Sequence, residues 1–201
     1  MKEKIILLAG QKFGKTGFYK TTIDEIASEM KISKKTIYKH FTSKDALIKA
    51  VIDDIRYPIA ESIGKIVDGS ENVVIKLYKI SDVLSSQIPK ISLMFLEELR
   101  INMPDLWNEI YEFRKTTIQK NFSRLIEQGK NEELIVDKPS AIILTIVISS
   151  IQAVVNPEFI LNNNLSIRSA VTHTLDVVFS GILTKTGRKI FKEFKSGNQN
   201  E

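Results

Sequence analysis

The sequence predicts an all-α protein in which an N-terminal three-helix domain is joined to a larger helical domain. Apolar residues recur at helical spacing along nearly the whole chain, and no run of residues alternates as a strand would. The apolar stripes are short in the first 50 residues and lengthen beyond Pro58. We therefore place the domain boundaries at 1–46, 47–195 and 196–201, the last being a frayed polar tail.

Three short helices are predicted in the first domain. The first carries a stripe ended by glycines, the second has a capping-box signature from Thr22 to Glu25, and the third begins at Ser33. The stripes are Ile5, Leu8, Ala9 and Phe13 before Gly14 and Gly17, then Ile23, Ile26, Ala27 and Met30, then Ile37 and Phe41. A fourth helix, residues 44–56, is predicted to start after Thr42 or Ser43 and to link the two domains.

Longer helices are predicted in the second domain, and prolines separate them. Gly129 is predicted to end the third of these helices, and Asp137 to cap the fourth with Pro139 in its first turn. The predicted ranges are 72–88, 91–102, 105–129, 139–155 and 166–185.

Positive charge is concentrated at the N-terminus. Residues 1–50 hold eleven lysines and five acidic residues, whereas residues 51–201 hold eighteen basic and nineteen acidic residues. A basic domain on a near-neutral body is typical of a nucleic-acid binder, although a solvated lysine-rich surface would look the same. The chain has no cysteine, which excludes a disulfide framework, a thiolate zinc site and a cysteine nucleophile.

The N-terminal apolar run is too short for an export signal, and the apolar run 141–155 falls short of the ~18 residues of a membrane span. We therefore expect a cytoplasmic protein with no membrane partner.

Residues 21–44 predict a helix-turn-helix. Helices 22–30 and 33–41 are separated by a tight turn at Lys31 and Ile32, and helices this short must be held by packing. Ile37 and Phe41 face inward, which turns a basic and polar face outward toward a DNA groove. We expect the side chains of Lys35 and Thr36 to contact bases. We expect phosphates to be contacted by the N-termini of the helices that begin at Thr22 and Ser33, and by the side chain of Lys44. The remaining candidate contacts are Lys34, Tyr38, Lys39 and His40.

This segment resembles the DNA-binding domain of the TetR family of regulators. The matching residues, in order, are Gly17-Phe18, Thr21-Thr22, Ile26-Ala27, Ser33-Lys34, Tyr38-Lys39-His40-Phe41 and Ser43-Lys44. The resemblance implies that Tyr38, His40 and Lys44 contact phosphates and that residues 34–36 face the bases. It also implies that the rest of the chain is an all-helical domain that dimerises and binds a small effector. Two residues depart from the pattern. Lys31 replaces a common glycine, so we expect a positive φ there, and Lys35 replaces a small residue and extends the reach toward DNA.

The second domain offers candidate effector contacts and a candidate dimer interface. Its aromatic and methionine-rich stretch could line an apolar pocket or fill the core. The candidate effector contacts are Met94, Phe95, Leu99, Trp107, Tyr111, Phe122 and Gln152. Helices 139–155 and 166–185 could form a four-helix homodimer interface through Ile167, Val171, Leu175, Val178 and Ile182, or these residues could fill the monomer core.

The favoured function is a repressor that a small, largely apolar effector releases from a palindromic double-stranded DNA operator. The alternatives are an activator or an effector-independent regulator of the same fold, and a nucleoid-type binder. An enzyme is not predicted, nor is a cofactor or a metal site. The run Gly10–Thr16 has three residues between its glycines, where a nucleotide-binding P-loop needs four.

Overall fold

The computed structural model describes residues 1–88 and 91–197, and these residues form eleven α-helices with no strand beyond one isolated bridge between Ile135 and Leu183. The all-α prediction is therefore confirmed. The helices are α1 (Lys2–Thr16), α2 (Ile23–Glu29), α3 (Lys34–Tyr38), α4 (Lys44–Asp68), α5 (Val73–Gln87), α6 (Leu93–Asn102), α7 (Pro104–Asn131), α8 (Ser140–Val154), α9 (Pro157–Asn162), α10 (Ile167–Ile182) and α11 (Lys185–Gly197). No described helix is both long and apolar enough to cross a bilayer.

The chain forms two compact units. Unit 1 comprises residues 1–58 and 91–110, and unit 2 comprises the described residues of 59–90 and 111–201. Helices α4 and α7 contribute residues to both units. Residues 91–110 thus belong with the N-terminal helices, a grouping that the sequence did not predict.

The core of unit 1 is built around a cluster of phenylalanines. Phe13 of α1 stacks on Phe95 of α6 with ring centroids 6.2 Å apart, and Phe18 meets both rings edge-on. Around them lie fully buried aliphatic side chains of α1, α2, α3 and α4, including Ile5, Ile26, Ile37 and Leu47. Helix α6 therefore completes the core on which the short helices α2 and α3 depend for their stability.

Unit 2 is a bundle in which α10 packs against α5 and α8, and α11 packs against α5. Phe179 of α10 contacts Phe122 of α7 and Phe191 of α11. The predicted dimer stripe of α10 is buried inside this unit: Ile167, Val171, Leu175, Val178 and Ile182. The prediction that these side chains face a partner is wrong, and the alternative interpretation, that they fill the monomer core, holds.

Two predicted glycine stops are corrected. Gly14 lies within α1, and the helix ends before Gly17, whose φ of 78° only glycine adopts readily. Gly129 lies within α7 and does not end it. A Cβ on Gly129 would come within 2.6 Å of Ile135, so this glycine serves close packing.

Several helix boundaries also differ from the prediction. Helix α8 begins after Pro139, with no cap from Asp137, and α4 continues through Pro58 to Asp68. Helices α9 and α11 were not predicted, and α9 is only six residues long. Of the predicted frayed tail 196–201, residues 198–201 lie outside the described residues.

Candidate nucleic-acid interface and ligand site

Helix α2 begins with the predicted capping box. The Glu25 backbone N–H donates to Thr22 Oγ1 at 3.1 Å, and the Thr22 backbone N–H donates to Glu25 Oε2 at 2.7 Å. The bond from the Thr22 backbone is the main reason that the pKa of Glu25 lies below its ordinary value. The capping box thereby satisfies two of the backbone donors that the start of a helix leaves unpaired.

The turn between α2 and α3 has the expected left-handed residue. Lys31 has a φ of 55°, so the expectation of a positive φ is confirmed. The N–H of Lys31 donates to Ser28 O, and the N–H of Ile32 donates to Ala27 O, both at 3.0 Å. These bonds satisfy carbonyls at the end of α2 and fix the direction in which α3 leaves it.

Helix α3 presents the outward face that was predicted from its sequence. Ser33 caps it by accepting from the Thr36 N–H at 3.1 Å, and the two hydroxyl oxygens lie 2.9 Å apart. Ile37 is fully buried and Phe41 is nearly so. Of the predicted contacts, Thr36 and Lys44 are partly buried and the others are exposed, namely Thr22, Ser33, Lys34, Lys35, Tyr38, Lys39 and His40. The helix spans five residues, shorter than predicted.

The lysines of this face differ in their partners. Lys34 Nζ lies 2.8 Å from Asp24 Oδ2, and this bond raises the pKa of Lys34. Lys44 Nζ donates to the carbonyl of Tyr19 at 3.4 Å. Within the described part of the chain, no carboxylate pairs with Lys35 or Lys39. These two ammonium groups are therefore available to a ligand from outside.

Helix α6 holds the segment that precedes α2. Glu98 Oε2 accepts the backbone N–H of Tyr19 at 3.0 Å, and the Glu98 carboxylate fills the space beside Gly17 that a Cβ would need. Sequence reasoning did not identify Glu98. A contact between residues 79 positions apart leaves no local signal in the sequence.

A second long-range cluster joins α4 to the start of α7. Glu109 accepts from Lys49 Nζ at 2.5 and 2.6 Å and from Arg56 Nη2 at 2.6 Å, and these bonds lower the pKa of Glu109. Arg56 also pairs with Asp53 at 2.8 Å. Two residues in the N-terminal half of α4 are thereby hydrogen-bonded to Glu109 of α7.

The seven predicted effector contacts are divided between the two units. Phe95 and Leu99 are buried in the core of unit 1, Trp107 packs against that core, and Met94 is exposed. Phe122 is buried against Phe179 in unit 2. Tyr111 and Gln152 are hydrogen-bonded to each other: the Tyr111 hydroxyl donates to Gln152 Oε1 at 2.9 Å.

Arg114 lies beside this pair and was missed by sequence reasoning. Its Nη1 donates to the carbonyl of Val155 at 3.3 Å, while its Nε is buried with no hydrogen-bond partner. Gln152 Nε2 is buried without a partner in the same way. Burial lowers the pKa of Arg114. The available signal was spacing, since Arg114 lies one helical turn after Tyr111 on the same face.

Comparison with known proteins agrees with this arrangement. The family model for bacterial regulatory proteins of the tetR family matches residues 5–51. YerO, an uncharacterised HTH-type transcriptional regulator of Bacillus subtilis, is 42% identical over 87 residues, which cover 43% of this chain but 28% of YerO. YvaF, another such regulator of that organism, is 24% identical over 181 residues, which cover 90% of this chain and 95% of YvaF.

Structural similarity extends along the chain. A crystal structure of a transcriptional regulator from Cytophaga hutchinsonii superimposes with a TM-score of 0.72 at 18% identity, covering 90% of this chain and 98% of that one. This likeness establishes a shared fold. Residues 5–51 are thus similar to bacterial regulatory proteins of the tetR family, and the likeness along the rest of the chain is one of fold.

Proposed function

We propose that this protein is a dimeric transcriptional repressor that binds a palindromic DNA operator in the cytoplasm and leaves it when a small effector binds. The observation that carries the proposal is the outward face of α3. Its side chains are basic and polar and are exposed or partly exposed, while buried Ile37 and the Ser33 cap hold the helix in place. A short, rigid helix of this kind fits the major groove of DNA.

We propose two roles for the side chains of this face, contact with bases and contact with phosphates. Lys35 and Thr36 lie at the start of α3, where side chains reach base edges, and Lys35 has no carboxylate competing for it within the described residues. Tyr38, Lys39, His40 and Lys44 are proposed to contact phosphates. Thr22 and Ser33 accept backbone hydrogen bonds as caps, and the Thr22 hydroxyl can still donate to a phosphate oxygen. The hydroxyls of Ser33 and Thr36 are hydrogen-bonded to each other, which leaves one hydroxyl hydrogen of that pair for a phosphate oxygen.

Dimerisation is proposed through the exposed faces of α8 and α10. Ile142 and Ile146 of α8 are about half exposed, at 55% and 51%, and Val177 of α10 is 73% exposed. Apolar side chains this exposed, on two helices packed against each other, favour burial against a second copy. A symmetric dimer would present two copies of α3 to half-sites about 34–36 Å apart, or a multiple of that spacing.

The switch is proposed to act through α7. Glu109 accepts hydrogen bonds from Lys49 and Arg56 of α4. Tyr111, a predicted effector contact, and Arg114 follow Glu109 within two turns of α7. An effector that displaces α7 would therefore shift the anchor of α4. It must bind the DNA-incompetent state more tightly than the competent one, because equal affinity would leave the equilibrium unchanged.

The test is to select preferred sequences from random DNA and then to measure affinity by fluorescence anisotropy at several salt concentrations. We expect binding to the selected palindrome at least about 10³-fold tighter than to random DNA at physiological salt. Similar affinity for both would favour a nucleoid-type binder and overturn the proposal. Transcription in vitro from a promoter carrying the palindrome separates repression from activation.

Three lysine variants assign the contacts. Lys44→Ala should weaken binding to all sequences and reduce the salt slope by about one, whereas Lys35→Ala should change the preferred sequence. Lys138→Ala is the charge-matched control, since Lys138 is an exposed residue of unit 2. Unchanged sequence preference in Lys35→Ala would remove Lys35 from base recognition.

A further inference from the structure

We propose that Arg114, Gln152 and Tyr111 form a subsite that binds the carboxylate of a small organic anion. This inference rests on the proposed function, because the anion would be the effector of that switch. It goes beyond that function by giving the effector a charge and a recognised group.

The subsite is formed where two helix faces meet. Tyr111 and Arg114 are one turn apart on α7, and Gln152 and Val155 are one turn apart at the end of α8. Tyr111 donates a hydrogen bond to Gln152, and Arg114 donates one to the carbonyl of Val155. Two hydrogen bonds, one helical turn apart, thus join α7 to the end of α8. This pairing brings the guanidinium of Arg114 and the amide of Gln152 into one neighbourhood.

The unused groups of this neighbourhood are donors. Arg114 Nε and Gln152 Nε2 are both buried and both lack an acceptor. A buried donor without an acceptor is unfavourable, and more so when it is charged. The Tyr111 hydroxyl already donates to Gln152 Oε1, which fixes the amide with its nitrogen unpaired. A ligand that completes this site must therefore supply acceptor oxygens.

The charge of the site is also uncompensated. Among the described residues, no carboxylate lies within 4.0 Å of the Arg114 guanidinium. An arginine stays protonated even when it is buried, so the positive charge remains. A carboxylate monoanion matches one guanidinium in charge and fits its planar fork with two oxygens. A phosphate dianion would leave excess negative charge, and a cationic ligand would be repelled by the guanidinium of Arg114.

A structural role accounts for part of this geometry. Arg114 donates to Val155 O just beyond the C-terminus of α8, where a cation is favoured by the exposed carbonyls. That bond uses Nη1 alone. It leaves Nε and the neighbouring amide of Gln152 without acceptors, and these are the groups that the proposed carboxylate would engage.

Nuclear magnetic resonance of the full-length protein without DNA tests the subsite directly. The probes are benzoate and benzamide, which have nearly the same shape and differ in charge. We expect millimolar benzoate to shift the Arg114 Nε–H and Gln152 side-chain amide signals at least several-fold more than benzamide does. Equal shifts with the two probes, or no shift with benzoate, would overturn the proposal.

A built-in carboxylate gives a second, independent readout. Gln152→Glu places an acidic group at the position of the unpaired amide and should raise the Tm by at least about 2 °C at pH 7 by pairing with Arg114. Gln119→Glu is the matched control, because Gln119 is an exposed residue of α7. In Gln152→Glu the benzoate shift should disappear. A Tm no higher than that of the control would argue that Arg114 is only a helix cap.

The two proposals fail separately. Neither readout of the subsite involves DNA, so loss of operator binding would leave the carboxylate result intact. Conversely, a protein that binds its operator but shows no preference for benzoate over benzamide would keep the proposed function and lose the subsite.

Discussion

Tyr19 donates its backbone N–H to the carboxylate of Glu98 at 3.0 Å, which fastens the segment before the helix-turn-helix to α6. Gly17 lies two residues earlier, with its φ of 78° and with the same carboxylate in the space that a Cβ would occupy. A glycine is thus required at residue 17 for two separable reasons, backbone conformation and close approach.

Replacing Gly17 with alanine should lower the free energy of unfolding by about 1–3 kcal/mol, because the backbone conformation is unfavourable for any residue with a Cβ. Urea denaturation measures this loss. Glu98→Ala removes the overlap but also the bond from Tyr19, so it is the reference for the double variant. Adding Gly17→Ala to Glu98→Ala should cost only the conformational part of the loss. Gly14→Ala is the control of opposite sign. Gly14 lies inside α1 with nothing near its Cβ position, so the substitution should stabilise by about 0.5–1 kcal/mol.

The parts of the molecule that sequence reasoning predicted well depend on local interactions. The Thr22 capping box, the Ser33 cap and the positive φ of Lys31 each involve residues within a few positions of one another. Such interactions leave fixed spacings in the sequence. The outward face of α3 could be assigned for the same reason, since the buried Ile37 fixes which side chains face away.

The parts that were missed depend on long-range packing. Phe95 looks like a pocket residue in the sequence, yet it stacks on Phe13 of α1. The α10 stripe looks like a dimer seam and is buried within its own unit. Arg114 gives no composition signal, because what distinguishes it is the lack of an acceptor for its Nε. Helical periodicity identifies an apolar face but not the element that covers it.

Removing the cap of α2 should destabilise unit 1 by about 1 kcal/mol. Thr22→Ala deletes the hydroxyl that accepts the Glu25 N–H, and Thr22→Ser keeps it. We therefore expect chemical denaturation to separate the two variants, with the serine variant close to the parent protein. Equal losses in both would assign the effect to the methyl group rather than to the cap.

The ion pair between Asp24 and Lys34 competes with DNA for the lysine. Asp24→Asn should leave stability nearly unchanged, because exposed pairs of this kind contribute little. It should also strengthen DNA binding, because it frees Lys34 to meet a phosphate. The dependence of affinity on salt should then steepen by up to about one unit. Asp54→Asn makes the same charge change at an exposed residue of α4, so a similar increase there would indicate a general charge effect.

Acid should weaken the anchor between α4 and α7 through Glu109. The folded state lowers the pKa of this carboxylate from its ordinary value of 4.5, first through its bond from Lys49 and then through Arg56. A lowered pKa means that the folded state prefers the ionised carboxylate. The stability that ionised Glu109 contributes is therefore present above about pH 4.5 and is lost as the pH falls through the lowered pKa.

Glu109→Gln should cost about 1 kcal/mol or less at pH 7, since the carboxylate is half exposed. It should also flatten the pH dependence of the free energy of unfolding below about pH 4.5. Lys49→Met should flatten it partly, because the Arg56 bond remains. Urea denaturation from pH 3 to pH 7 measures these slopes, and a Glu109→Gln slope equal to that of the parent protein would show that the anchor does not contribute to acid stability.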